Sequence, residues 1–213
     1  MYPANLTIRS IGSFFNTAAY RKYEEENEMK RFVIITVGKT HSGKTTFAKA
    51  LEKELKNSVV IDQDNHALFI NTYYKNLIPS TGANTIKYSI TDTIVNFALE
   101  HSDFHLILCN SNLNRNGRLR LLKHFHEKGL VSILIHFDIP EHILKERVAE
   151  SSRSTNIFRS SSTFEEVLFK QLAVSHKGDI VDPTEDEADY LFKIKNSDDV
   201  QLVIKKILNT ITN

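Results

Sequence analysis

The feature that most constrains the fold is an apolar run that leads into a glycine-rich loop. Residues 31–38 read RFVIITVG, and residues 38–46 read GKTHSGKTT. A continuous apolar run rich in β-branched residues is typical of a strand buried on both faces of a parallel sheet. The loop matches G-x-x-x-x-G-K-[ST], a pattern whose backbone N–H groups and following helix cradle phosphates. The chain is therefore predicted to hold a nucleotide phosphate directly after its first strand.

Strand-like and helix-like segments alternate after this loop. Further strands are predicted over residues 58–64, 104–110, 131–138 and 189–196, with amphipathic helices between them. This alternation predicts a three-layer α/β/α fold, in which helices cover both faces of a five-stranded parallel sheet. Right-handed crossovers would bring the carboxyl ends of the strands, and the polar residues that follow them, to one edge.

The length of 213 residues suits one domain with an extension. Residues 1–30 are expected to form a helical arm, because apolar residues recur at near-helical spacing before a charged run. Residues 31–213 are expected to form the nucleotide-binding domain. Within it, a serine-rich stretch with scattered arginines, residues 147–163, is expected to act as a lid.

The composition excludes few function classes, but it limits the kinds of binding partner that we expect. The formal net charge is +1, so nucleic acid is a possible partner that the overall charge does not favour. No apolar run approaches the roughly 20 residues of a membrane span, so no membrane partner is expected. The single cysteine, Cys109, allows no internal disulfide and fits a cytoplasmic location. The sequence leaves monomer and homodimer open.

The glycine-rich loop indicates ATP and Mg²⁺ as cofactors. Lys44 can reach the β- and γ-phosphates, and the Thr45 hydroxyl can coordinate Mg²⁺. The residues predicted to bind the nucleotide are Gly38, Lys39, Thr40, His41, Ser42, Gly43, Lys44, Thr45, Thr46 and Arg147.

Two carboxylates follow the second predicted strand. Asp64 lies further beyond the strand, so we expect it to act as the base that accepts a proton from a hydroxyl group. Asp62 is expected to help hold Mg²⁺ or to orient a substrate. The alternative is that this segment only caps a helix, since aspartate is a preferred cap residue.

Amides and arginines follow the third and fourth strands. The third strand ends in LILCNSNLNR, where Cys109 occupies a position at which many phosphate-loop NTPases place an aspartate for Mg²⁺. Asn112 and Arg118 are expected to contact a substrate, because amides and guanidinium groups suit hydroxyls and phosphates. In the predicted lid, Arg153 is expected to neutralise transferring charge and Arg159 to contact the substrate.

These segments together resemble the small phosphate-loop kinases. The resemblance rests on GKTHSGKTT, VIDQDNH, LILCNSNLNRNGRLR and HFDIPEHILKERVAESSRS, and it spans residues 31–213. It is closest to the polynucleotide-kinase-like group, and the chain is also similar to gluconate kinase and its relatives. The resemblance implies a P-loop NTPase fold of the nucleotide-kinase type. It further implies that Asp64 is the base, that Arg147, Arg153 and Arg159 bind phosphates, and that Arg118 contacts the acceptor or a phosphate.

The function predicted from the sequence is transfer of the ATP γ-phosphate to a hydroxyl acceptor, with Lys44, Asp64 and Arg153 as catalytic residues. A polynucleotide 5′-end, a sugar, an antibiotic and a nucleotide sugar all remain open as acceptors. A second hypothesis is an ATP-binding regulator or ATPase that phosphorylates nothing. A third is a partner-binding protein with a relic loop, which the intact Gly43-Lys44-Thr45 sequence disfavours.

Overall fold

Parallel strands form one five-stranded sheet in the computed structural model, which describes residues 30–159 and 161–212. Their order across the sheet is β2-β3-β1-β4-β5. The strands are β1 (Phe32–Val37), β2 (Ser58–Asp62), β3 (His105–Cys109), β4 (Val131–Phe137) and β5 (Tyr190–Ile194). Each neighbouring pair is parallel, as the alternating sequence pattern predicted.

Helices occupy the connections between the strands, and one more helix follows the last strand. They are α1 (Lys44–Glu54), α2 (Gln63–Tyr73), α3 (Thr85–His101), α4 (Arg115–His126), α5 (Glu141–Ala149), α6 (Phe164–Val174) and α7 (Asp199–Thr212). Short 3₁₀ turns cover Lys75–Leu77 and Thr155–Ile157. None of the described helices is both long and apolar enough to cross a membrane.

The two faces of the sheet carry separate apolar cores. On one face, Ile34 of β1 lies in a buried cluster with residues of α1, α5, α6 and α7. On the other face, Val33 and Ile35 lie in a cluster with residues of α3 and α4. Alternate residues of a strand point to opposite faces, so the continuous apolar run of β1 is buried on both sides. The predicted three-layer α/β/α fold is therefore confirmed.

The end of β2 differs from the sequence-based prediction. The strand was expected to reach residue 64, but it ends at Asp62 and α2 begins at Gln63. The strand ends at Asp62 because this residue caps the N-terminus of α2. Its carboxylate accepts a hydrogen bond from the Asp64 backbone N–H at 2.9 Å. Asp64 therefore lies in the first helical turn, where a negative charge is favourable.

Residues Arg31–Asn213 form one compact unit. The helical arm predicted for residues 1–30 lies, apart from Lys30, outside the described part of the chain. Within the compact unit, β1 lies between β3 and β4, so the segments after these three strands are neighbours at the carboxyl edge of the sheet. This is the edge at which open α/β sheets bind their ligands.

Candidate functional site

The glycine-rich loop is held in shape by the segments next to it. Gly38 N–H donates to the Ser111 carbonyl, which follows β3, at 2.9 Å. A Cβ atom at position 38 would lie 2.8 Å from the Phe137 Cβ and 2.9 Å from the Ser42 Oγ, so only glycine fits there. Gly43 has φ of +98° at the start of α1, a backbone conformation that also favours glycine. The loop therefore has the geometry that its sequence pattern requires.

Lys44 folds back over the loop. Its Nζ donates to the Lys39 carbonyl at 2.5 Å and to the Ser42 Oγ at 3.2 Å. Desolvation of the ammonium group lowers the pKa of Lys44 to about 8, against the opposing effect of nearby Cys109 and Asp64. An anion placed in the loop would give this ammonium a charged partner in place of a carbonyl.

Thr45 and Asp62 form a pair of oxygen-bearing side chains at the base of the loop. The Thr45 hydroxyl donates to the Asp62 Oδ2 at 3.0 Å and lies 3.5 Å from the Cys109 Sγ. Asp62 is only 3% exposed, and its other carboxylate oxygen caps α2. The prediction that Asp62 contacts a substrate is therefore wrong, because both oxygens are turned inward. The Asp62 Oδ2 faces the Thr45 hydroxyl, and its expected role in holding Mg²⁺ stays a prediction.

These oxygen atoms fit a site for Mg²⁺, which prefers oxygen ligands and usually takes only one or two from the protein. Cys109 does not contribute to such a site, since burial raises the pKa of its thiol to about 11 and keeps it neutral. No group of three or more His, Cys, Asp or Glu side chains that could hold a metal ion exists among the described residues.

The predicted base and the predicted lid arginine contact each other directly. Arg153 Nη2 lies 2.7 Å from Asp64 Oδ2. The Arg153 guanidinium also lies over the Phe164 ring, with 5.4 Å between its Cζ and the ring centroid. The structure therefore brings Asp64 and Arg153 together beside the loop.

His41 connects the loop to the segment between α5 and α6, residues 150–163, called here the α5–α6 connection. The His41 backbone has φ of +58°, and its Nε2 lies 2.8 Å from the Ser151 Oγ. Its ring also meets the Phe164 ring edge-on, with 4.6 Å between centroids. Burial, followed by the charges of Arg153 and Lys44, lowers the pKa of His41 and favours the neutral imidazole. Ser151 and Phe164 were not predicted from the sequence.

Two more side chains hold the loop from outside. Arg147 Nη1 donates to the His41 carbonyl at 3.2 Å, so it contacts the predicted nucleotide site through the loop backbone. Gln171 of α6 accepts a hydrogen bond from the Thr40 backbone N–H at 2.7 Å. Nothing in the sequence near Gln171 signalled this contact.

The α5–α6 connection is also fastened to the segment between β2 and β3. Asn71 of α2 donates to the carbonyls of Asn156 and Phe158, at 2.5 and 3.1 Å. Arg159 donates to the carbonyls of Pro79 and Gly82, at 3.4 and 2.6 Å. Arg159, predicted as a substrate contact, therefore joins these two segments in the structure.

Arg118 requires a correction. It is 1% exposed, and its Nε and Nη2 donate to the two carboxylate oxygens of Glu187 at 2.8 and 2.9 Å. Its Nη1 donates to the carbonyls of Asn112 and Leu113. The prediction that Arg118 contacts an acceptor or phosphate is wrong, because its guanidinium is enclosed in a structural ion pair.

Asn112 braces the strand beside it. Its Nδ2 donates to the Thr36 carbonyl at 2.9 Å, and its backbone has φ of +45°. Asparagine tolerates this left-handed conformation better than most residues. The side chain does not reach the glycine-rich loop, but it lines a second cavity described below.

A cavity of about 770 Å³ opens above the loop. Residues 40–46 line one wall, and Asp64, Arg147 and Arg153 line another. Apolar and polar side chains that the sequence did not single out complete the lining, among them Phe158, Phe164, Val200, Asn196, Ser197 and Gln201. Gly38 and Lys39 are not part of the lining, because Gly38 packs against Phe137 and Lys39 offers its carbonyl to Lys44.

A second cavity, of about 630 Å³, lies between α3 and α4 on the other side of the β3 end. Cys109 and Asn110 line both cavities, so the two spaces meet at the carboxyl end of β3. The Asn110 side chain donates to the Gln63 Oε1 at 2.9 Å across this boundary.

Solved structures with the same fold include an APS kinase, a protein named Kti12 and a tunicamycin resistance protein. The Mycobacterium tuberculosis APS kinase CysC, solved with AMPPNP and APS, is 13% identical with a TM-score of 0.54, over 86% of this chain and 99% of that one. Chaetomium thermophilum Kti12, solved with ADP-AlF3, is 18% identical with a TM-score of 0.58, over 84% of this chain and 98% of that one. The Deinococcus radiodurans tunicamycin resistance protein is 15% identical with a TM-score of 0.52, over 85% and 96% of the two chains.

Identities this low establish the fold alone. A search of curated proteins found no match. A family model described as an AAA domain matches residues 33–175, which is more than half of the 213 residues. The matched range contains the glycine-rich loop, the Asp64–Arg153 pair and the α5–α6 connection. The chain thus belongs to the AAA domain family, and its fold is that of a P-loop domain of the kinase-like α/β type.

Proposed function

We propose that this protein is a Mg²⁺-dependent kinase that transfers the γ-phosphate of ATP to a hydroxyl group. The observation that carries the proposal is the convergence of Lys44, Asp64 and Arg153 on the wall of one cavity beside an intact phosphate loop. Phosphoryl transfer needs a cation for the phosphates, a carboxylate for the hydroxyl proton and a guanidinium or similar cation for the charge on the transferring group.

Each of these residues has a separate role in the proposed reaction. The acceptor oxygen forms a bond to the γ-phosphorus while the bond from that phosphorus to the β–γ bridging oxygen breaks, and ADP leaves. Asp64 takes the proton of the acceptor hydroxyl. Lys44 stabilises the β- and γ-phosphates, and Arg153 turns from Asp64 toward the transferring group. Arg147 supports the loop backbone at His41, as it does in the structure.

Mg²⁺ would be held at Thr45, with Asp62 as the partner that orients the hydroxyl. When bound, the ion would neutralise charge on the β- and γ-phosphates. The α5–α6 connection would act as the lid that excludes water, because Arg153 lies on it and Asn71 fastens it to α2. Cytoplasmic location and either a monomeric or a homodimeric state remain expectations from the sequence.

The test is transfer of labelled γ-phosphate from ATP with Mg²⁺ to a panel of hydroxyl compounds. The panel holds nucleosides, 5′-hydroxyl oligonucleotides, nucleotide sugars, sugar acids and aminoglycosides. Asp64→Asn removes the base, and Asp103→Asn, an exposed aspartate away from the cavity, is the matched control. Transfer to one acceptor that is lost in Asp64→Asn and retained in Asp103→Asn supports the kinase.

A second candidate function is an ATPase or ATP-dependent regulator. The Asp64–Arg153 ion pair favours this second function, because in the structure the Asp64 carboxylate is paired with Arg153 and is not free to accept a proton from a hydroxyl group. Tight ATP binding without any labelled product, or equal release of phosphate to water by wild type and Asp64→Asn, would replace the kinase proposal with this one.

A further inference from the structure

The Arg153 side chain packs against the ring of Phe164. Its Cζ lies 5.4 Å from the ring centroid, while its Nη2 lies 2.7 Å from the Asp64 Oδ2. A guanidinium placed over an aromatic ring within about 6 Å is attracted to that ring. Phe164 is the first residue of α6, is 5% exposed and belongs to an apolar core of the sheet. The ring is therefore a fixed support for an arginine that is itself 38% exposed.

The Ser151 hydroxyl holds the backbone of the same arginine. Its Oγ accepts a hydrogen bond from the Arg153 backbone N–H at 3.2 Å. The same Oγ lies 2.8 Å from the His41 Nε2. A hydroxyl group can accept one hydrogen bond and donate another at the same time. One oxygen atom therefore joins the Arg153 backbone to the glycine-rich loop.

His41 contacts both supports of Arg153. Its Nε2 meets Ser151, and its ring meets the Phe164 ring edge-on with 4.6 Å between centroids. Its Nδ1 lies 3.0 Å from the Thr40 Oγ1, so contacts at both ring nitrogens fix the orientation of the imidazole. Backbone N–H groups of this loop are the ones that cradle phosphates. A change in the loop on phosphate binding would therefore reach Arg153 through two contacts.

Phosphate binding alone does not explain a histidine at position 41. The G-x-x-x-x-G-K-[ST] pattern accepts any residue there. His41 has φ of +58°, a conformation that is uncommon for a residue other than glycine. Residues in such conformations persist where their surroundings hold them, and they cluster at functional sites. The side chain of His41, and not only its backbone, therefore has a role in the site.

We propose that Phe164 and Ser151 position Arg153, and that His41 couples them to the phosphate loop, so that a bound γ-phosphate and the placement of Arg153 favour each other. The contact between Arg153 and the γ-phosphate rests on the proposed function, whereas the chain of contacts from the loop to Arg153 does not. Coupling of this kind is reciprocal. Whatever fixes Arg153 therefore raises the affinity for a nucleotide with a γ-phosphate above the affinity for one without it.

The test is the ratio of the Kd for ADP to the Kd for AMPPNP, measured by calorimetric titration of the full chain with Mg²⁺. This ratio reports the contacts that the γ-phosphate adds. Arg153→Gln should lower it, and His41→Asn, Ser151→Ala and Phe164→Leu should each lower it by about threefold or more. His41→Asn keeps a residue that tolerates the left-handed turn but lacks the ring and the Nε2. Together with Ser151→Ala it keeps the core residue Phe164, so the test does not depend on the folding of Phe164→Leu.

Matched controls change the same residue types at exposed positions outside the cavity lining. They are His142→Asn, Ser152→Ala and Phe169→Leu, and each should leave the ratio unchanged. A residue that only supports the loop would weaken ADP and AMPPNP alike, so its replacement would also leave the ratio unchanged.

The same replacements in the Arg153→Gln protein show whether the effect passes through Arg153. His41→Asn should then change the ratio by less than about twofold, because the group that it positions is already gone. An unchanged ratio in Arg153→Gln, or an equal loss from His41→Asn with and without Arg153, would overturn the proposal.

Failure of this coupling and failure of the proposed kinase give different results. The expected ratios in a protein that transfers phosphate to no acceptor would support the coupling and remove the kinase. Transfer to an acceptor, together with equal ratios in wild type and all variants, would leave the kinase standing and overturn the coupling.

Discussion

Arg153 Nη2 and Asp64 Oδ2 lie 2.7 Å apart and join the α5–α6 connection to the start of α2. The two side chains are 38% and 44% exposed, so solvent screens their attraction. Ion pairs of this kind contribute about 0–1 kcal/mol. The pair can therefore be exchanged for a contact between Arg153 and a phosphate at small cost in free energy, which would free Asp64 to accept a proton.

Replacement of this arginine tests whether it stabilises transferred charge. If the proposed kinase holds, Arg153→Gln should lower the rate of transfer by about 10²–10³-fold, the usual effect of removing one preorganised donor. ATP affinity should change much less, because Lys44 and the loop backbone remain. Single-turnover rates and nucleotide titrations measure the two effects. Lys145→Gln, which breaks only an exposed pair with Glu141, is the control. A rate for Arg153→Gln within threefold of the control would show that Arg153 is only a structural partner of Asp64.

Nucleotide binding should depend on pH through Lys44. Its pKa is about 8, because the ammonium is desolvated over the loop. As pH rises through this value the free protein loses the charge, whereas bound phosphates favour the protonated form. The Kd for ATP should therefore rise, by up to about tenfold per pH unit above pH 8. Fluorescence or calorimetric titrations between about pH 7 and pH 9.5 measure this change. Lys44→Ala should bind ATP more weakly, and a rise in its Kd as steep as that of the wild type would assign the titration to another group.

The buried Arg118–Glu187 pair should matter for stability and not for nucleotide affinity. Among the described residues, Arg118→Met leaves the Glu187 carboxylate with Arg115, at 3.4 Å, as its one charged partner and with the Thr184 backbone N–H, at 3.3 Å, as a donor. The free energy of unfolding should fall by about 3 kcal/mol, the lower end for a broken buried pair. The double variant Arg118→Met with Glu187→Leu should recover most of this loss, since it removes both buried charges. Urea unfolding measures stability. Normal stability of Arg118→Met with weakened ATP binding would restore the original prediction that Arg118 contacts a phosphate.

His105 should make the fold sensitive to mild acid. Its Nδ1 accepts the Phe32 backbone N–H at 3.1 Å, which requires an unprotonated ring nitrogen. Burial, followed by the charge of Arg31, lowers the pKa of His105 below its usual value of 6.5. The unfolded chain therefore binds this proton more readily. Stability from this group is complete above pH 6.5 and is lost as pH falls below it.

His105→Asn keeps an acceptor at this position but does not titrate. The difference in melting temperature between about pH 7.5 and pH 5.5 should be smaller for this variant than for wild type. Some acid sensitivity should remain, because burial also lowers the pKa values of His66 and His136. An unchanged difference between the two pH values would mean that His105 stays neutral in both states or titrates alike in both.

The sheet and the phosphate loop could be predicted because their signals are local. The apolar run of β1 and the spacing of Gly38, Gly43 and Lys44 are contained within one short stretch of the sequence. The end of β2 was misplaced by two residues, because a cap depends on one side-chain hydrogen bond at Asp62. Apolar periodicity carries no information about such a bond.

The features of the site that the sequence did not predict depend on contacts between segments that are distant in the chain. Arg118 lies on a helix after an asparagine-rich loop, a position that suggests a ligand, but its partner Glu187 is 69 residues further along. The sequence predicts His41 only as a residue of the nucleotide-binding loop, whereas in the structure its Nε2 lies 2.8 Å from the Oγ of Ser151, 110 residues away. Asn71 and Gln171 likewise belong to no sequence motif that would predict their contacts. These roles depend on which segments the strand order brings together, and a single sequence does not record that.

The attachment of the glycine-rich loop to Ser151, Phe164 and Gln171 bears on how the chain could be shortened. A fragment that ends after α5 would contain every residue of the G-x-x-x-x-G-K-[ST] pattern and four of the five strands. It would lack the three side chains that meet His41 and Thr40. The pattern would be complete in such a fragment, but the left-handed turn at His41 would have lost its contacts with Ser151 and Phe164. Dissection of the protein into smaller parts must therefore keep residues as far as α6 with the loop that they support.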